Sequence, residues 1–76
     1  MAGLQRDLNP MPTHIRDLLE ERGLMQAFQA RPAYQRNDYL GWIARAKRSD
    51  TKEKRLGQML DELRRGGVYM NMVWRG

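Results

Sequence analysis

The sequence predicts an all-α fold, a small three- to four-helix bundle with an extended C-terminal tail, on three observations. Tyr39, Trp42, Ile43 and Ala46 fall at i, i+3, i+4 and i+7, and Leu56, Met59, Leu60 and Leu63 repeat that spacing, so each set lies on one face of an α-helix. The link Arg48-Ser49-Asp50-Thr51 has room only to reverse the chain, which makes the two helices an αα-hairpin with facing apolar stripes. From residue 68 the period drops to two, Val68, Met70, Met72 and Trp74 alternating with Tyr69, Asn71 and Val73, which marks an extended segment.

Residues 1–11 show no periodicity and hold Gly3, Asn9 and Pro10, as expected of a flexible N-terminal arm. The helical domain is expected over 12–67. Its first helix starts at Pro12-Thr13 and turns Ile15, Leu18 and Leu19 inward and Asp17, Glu20 and Glu21 outward until Gly23 stops it. Leu24 and Phe28, one turn apart, define a short second helix that ends near Ala30, because the residue before Pro32 is pushed out of the helical region. Phe28, the only phenylalanine, is expected to anchor the core. Pro32 suits the first turn of a third helix, whose N-terminal half is weakened by Asn37, Asp38 and Gly41. Asp50 followed by Glu53 resembles a capping box, which starts the fourth helix near Thr51. Gly41 and Gly57, costly inside neighbouring helices, suggest a close backbone crossing. Arg64-Arg65 and Gly66-Gly67 end the fourth helix with charges that suit its dipole and a left-handed cap. Residues 68–76 form the tail. A lone strand cannot satisfy its own backbone, so the tail either folds back to cover the bundle with its aromatics or pairs with a strand of another chain, folding back being the expectation.

At 76 residues the chain is one domain, near the lower size at which a single core offsets chain entropy. It has no cysteine, hence no disulfide and no thiolate metal site. No apolar run reaches the roughly 18 residues that span a bilayer and the N-terminus lacks a secretory apolar segment, so no membrane insertion and a cytoplasmic location are expected. The net charge of +5 favours acidic partners, and residues 45–55 hold six basic side chains against two acidic ones.

Phe28, then Tyr39-Leu40-x-Trp42-Ile43-x-x-Ala46-Lys47, then Thr51-x-x-x-Arg55 resemble the C-terminal helical segment of the YdeI/OmpD-associated, or bacteriocin-protection, family across about residues 24–65. The resemblance implies a bacterial, all-helical segment of a kind that often follows a separate β-rich domain, here as a short stand-alone relative. It implies no catalytic residue.

No enzyme is expected, and neither cofactor nor metal. His14, the only histidine, has no companion ligands, no Ser/His/Asp or Cys/His set can be built, and the pairs Glu20-Glu21 and Asp61-Glu62 look like solvated helix faces. Two candidate sites remain. Lys52 and Lys54 oppose the dipole at the start of the fourth helix, so Lys47, Arg48, Ser49, Thr51, Lys52 and Arg55 form a candidate anion or nucleic-acid site, although Asp50 competes for the same backbone N–H groups. A helix-turn-helix is disfavoured by a turn without glycine and by Gln58 as the only base-reading type on the fourth helix. In the tail, Tyr69, Met70, Met72 and Trp74 form a candidate partner contact. The expected function is a small interaction module for an unknown protein partner, monomeric rather than homodimeric, with nucleic-acid or phosphate binding at the basic turn as the alternative.

Overall fold

The structure is a computed structural model and describes residues 8–75. Four helices and a terminal hairpin follow in order: α1 (Thr13–Glu21), α2 (Met25–Ala30), α3 (Ala33–Ala44), α4 (Ser49–Arg65), β1 (Val68–Tyr69) and β2 (Met72–Val73). Pro12 and Pro32 each stand in extended backbone immediately before a helix, so neither ring blocks a helical hydrogen bond. The helical periodicities converge on one core. Ile15 and Leu19 from α1, Phe28 from α2, Tyr39, Leu40 and Ile43 from α3, and Met59, Leu60 and Leu63 from α4 are buried together. Each such side chain contributes roughly 1.5–3 kcal/mol of transfer free energy before chain entropy is set against it. Trp42 is only half-buried at the edge of this core.

Several local expectations give way to tertiary contacts. α3 is continuous from its first residue, and Asn37 and Asp38 serve as tie points: Asn37 Oδ1 accepts the Asn9 backbone N–H at 2.7 Å, and Asp38 Oδ2 accepts the Tyr69 hydroxyl at 2.7 Å. The arm is therefore held to α3 from Asn9; the part of that expectation covering residues 1–7 lies outside the described residues. α3 ends at Ala44, and Ala46 is buried just beyond it.

α4 begins at Ser49, two residues before the sequence-based start, and no capping box forms. Arg48 is the extended residue before the helix, and Asp50 stands within the first turn, where its carboxylate suits the dipole. Asp50 Oδ1 accepts the Thr51 N–H at 2.8 Å and pairs with Arg48 Nε at 3.2 Å. The N-cap position itself is taken by Arg48, which leaves Asp50 two residues past it, inside the helix and too far on to cap it.

The glycines part company. A Cβ on Gly41 would stand 2.6 Å from Asn9 Nδ2, so the close approach is real, but it is made by the arm and not by α4; Gly57 faces open space. At the end of α4, Gly66 takes φ +84 and its N–H returns to the Glu62 carbonyl at 2.8 Å.

The tail is an antiparallel hairpin pairing Val68 with Val73 and Tyr69 with Met72, where one extended segment was expected. It does fold back, and it satisfies its own ladder. Met70 and Asn71 form the two-residue turn with φ of 50° and 64°, the positive values that a type I′ hairpin requires.

Candidate functional site

The two ends of α4 carry the two candidate surfaces, roughly 25 Å apart at 1.5 Å per helical residue. The hairpin end is organised by a residue that the sequence pattern assigned to a solvated face. Glu62 is 1 % exposed, and its carboxylate accepts hydrogen bonds from the Tyr39 hydroxyl, from Gln58 Nε2 at 3.0 Å, and from the Met70 and Asn71 backbone N–H groups at 2.8 Å each. Two successive N–H groups in left-handed backbone make a concave anion nest, and here a side chain of the same fold fills it. That explains how Met70, an unusual residue at positive φ, is held there. Burial alone would raise the Glu62 carboxyl, but the bonds from Tyr39, Asn71, Met70 and Gln58 outweigh it and hold the group below the usual glutamate value. Burial, then donation to Glu62 and the closeness of that negative charge, push the Tyr39 phenol well above its ordinary range, with Arg31 opposing.

Arg31 is the second buried charge missed by the sequence pattern. It donates to Gln35 Oε1 at 3.1 Å and to the Glu62 backbone carbonyl at 3.0 Å, and its guanidinium lies 4.6 Å from the centre of the Trp74 ring. Tyr69 packs edge-on to both Tyr34 and Tyr39. Of the four tail residues proposed for partner contact, Tyr69, Met70 and Trp74 are thus turned into the fold, and Met72, 60 % exposed, stands out with Val73, 79 % exposed. The signal for Glu62 was present: it lies three residues after Met59, on the flank of the apolar stripe.

At the other end Arg48, Thr51 and Arg55, three of the six basic-turn residues, are engaged by neighbouring groups. Arg48 is engaged by Asp50, and the same carboxylate takes the Thr51 N–H. Arg55 belongs to the fold: its Nη1 donates to the Trp42 carbonyl at 2.7 Å, satisfying a terminal carbonyl of α3, and its guanidinium covers the Trp42 ring at 5.2 Å. Lys47, Ser49 and Lys52 are exposed, and Lys47, Lys52 and Lys54 make no ion pair among the described residues.

Beside this turn runs a groove of about 440 Å³. Ile15 and Pro12 of the α1 start, Leu40 and Ile43 of α3 and Leu56 of α4 give it an apolar floor, with His14, Ser49, Lys52 and Glu53 along the rim. On α4 the lining residues Ser49, Lys52, Glu53 and Leu56 follow helical spacing. Among the described residues no three His, Cys, Asp or Glu side chains are grouped to hold a metal ion, and no helix is long and apolar enough to cross a membrane.

These features define a small helical domain closed at one end by a latched hairpin and open at the other as a basic, grooved surface. The bacteriocin-protection, YdeI or OmpD-associated family model matches residues 10–66, and the chain belongs to that family. The match takes in α1 through α4, further upstream than the segment that carried the resemblance, and stops at the cap of α4. No curated protein and no solved structure matches the chain.

Proposed function

We propose that this chain is a small non-enzymatic interaction module that works as a monomer in the bacterial cytoplasm and binds a protein partner. The observation that carries the reading is the outward strand of the hairpin. Met72 and Val73 are strongly exposed, yet the hairpin bearing them is tied down through Glu62, the Tyr69–Asp38 hydrogen bond and the Arg31–Trp74 contact. A pre-ordered apolar strand loses little freedom on docking, which favours a contact role for it. Glu62, the buried carboxylate with a perturbed pKa and so the natural candidate for acid–base chemistry, has its oxygens engaged by structural donors.

Lys47, Lys52 and Lys54, exposed and without an ion pair among the described residues, favour a second reading, nucleic-acid or phosphate binding at the basic turn. One titration separates the two. Backbone amide spectra are recorded with duplex and single-stranded oligonucleotides at low and then moderate salt. The interaction module is expected to show no salt-sensitive shifts at Lys47 to Arg55, since counterion release makes phosphate binding fall steeply with salt. Shifts confined to that stretch and erased by salt would overturn it in favour of the second reading.

A further inference from the structure

The groove between the α1 start, α3 and the first turns of α4 lies apart from the hairpin and shares only Ser49 and Lys52 with the basic turn, so its apolar floor is absorbed by neither reading. We propose that it docks an acidic amphipathic helix of the partner protein, an inference that rests on the interaction-module reading and names a second contact surface for it. The floor, made of Ile15, Leu40, Ile43 and Leu56, is apolar and drawn from three helices. Its volume of about 440 Å³ has room for a few apolar side chains but not for a helix about 10 Å across. A helix therefore lies over the groove and lowers anchors one turn apart into it, the usual geometry of helix-in-groove recognition.

Charge sets the sign of the partner. Lys52 forms part of the rim, Lys47 stands in the adjoining turn, and both are exposed without an ion pair among the described residues. Glu53 is the one acidic lining residue, and Arg48 is already engaged by Asp50. Carboxylates flanking the anchors meet the Lys52 and Lys47 ammonium groups there. A small-molecule site fits less well: such sites orient their ligands with a few converging polar groups, whereas the polar lining here is made of exposed surface side chains, His14, Ser49, Lys52 and Glu53.

The test is selection of a displayed random-peptide library, long enough for four helical turns, against the full chain, followed by binding of the synthesised winners to three variants. Ala44→Trp fills the groove from an exposed lining position, Lys52→Glu reverses the rim charge, and a Met72→Lys/Val73→Lys double variant alters the hairpin; all four positions are exposed, and circular dichroism checks that each variant folds. Winners are expected to pair apolar residues at i, i+3 or i+4 with Asp or Glu, to lose binding to Ala44→Trp, and to bind Lys52→Glu about tenfold more weakly, which is about 1.4 kcal/mol. Winners without acidic residues, or winners that bind Ala44→Trp unchanged, overturn the groove proposal. Binding lost only in the hairpin double variant overturns it too, while leaving the interaction module standing. No enrichment also overturns it, and if oligonucleotides then shift Lys47 to Arg55 the module reading falls with it.

Discussion

At the C-terminal end of α4 a fully buried carboxylate collects donors from α3, α4 and the hairpin turn, whereas at the N-terminal end three exposed lysines have no ionic partner among the described residues. Both ends carry charge, but one buries it to hold the chain together, while the other commits Arg55 to the end of α3 and leaves its lysines in water. Charge that is desolvated and fully hydrogen-bonded specifies structure and is costly to disturb, while charge left in water contributes little to stability and stays free to meet a partner. The net charge of the whole chain does not reveal that division.

The largest expected effect comes from breaking the hairpin end. Glu62→Ala strands the Tyr39 hydroxyl and the Met70 and Asn71 N–H groups, and is expected to cost about 3–5 kcal/mol in urea denaturation. A domain of this length has a total of roughly 4–11 kcal/mol, so little would remain. The same group contributes to the acid limb. Its carboxyl is held below the ordinary value of 4.5, so the stabilisation is present above that value and is lost as pH falls through the lowered native value. In Glu62→Gln the part of the acid-induced loss that comes from this carboxyl should vanish, as a urea-midpoint series against pH would show.

A smaller pair of effects tests how the arm is held. Gly41→Ala would displace Asn9 and cost its hydrogen bonds to Asn37, for a net loss of about 1 kcal/mol after the gain in helix propensity. Gly57→Ala meets nothing and should gain about 0.5–1 kcal/mol. Thermal melts of the two variants should therefore move in opposite directions.

The smallest effect on stability belongs to the basic end. Lys52→Glu replaces a cation in the first turn of α4 with an anion, which the dipole favours by about 0.3–1 kcal/mol at low salt. The variant should be as stable as the parent or slightly more so by urea melt.

What the sequence made legible follows from the range of each interaction. The α4 stripe, Tyr39 and Ile43 of the α3 stripe, the anchor role of Phe28 and the end of α4 at Gly66 depend on spacing within one element, and periodicity reports that directly, whereas Trp42 is half-buried and Ala46 lies beyond the end of α3. The hairpin turn did not show itself because Met70-Asn71 lacks the glycine that usually announces a primed turn; its conformation is supported by a carboxylate eight and nine residues away. Asp61 and Glu62 look alike in sequence, yet Asp61 pairs with Arg64 and Arg65 at the surface while Glu62 turns inward. Gly41 stood out as a close approach, but its partner came from an arm that has no periodicity to read. The groove was hidden for a related reason: one of its walls is the start of α1, and nothing in the α3–α4 pattern places that wall beside the basic turn.

Hydrogen exchange of the Met70 and Asn71 amides at neutral pH, in the parent and in Glu62→Gln, tests most directly whether Glu62 latches the hairpin to the bundle. Slow exchange at both amides in the parent, lost or sharply reduced in the variant while the interior amides of α3 and α4 keep their protection, is the expected result. Fast exchange at these two amides in the parent, or equal protection in both proteins, would contradict it.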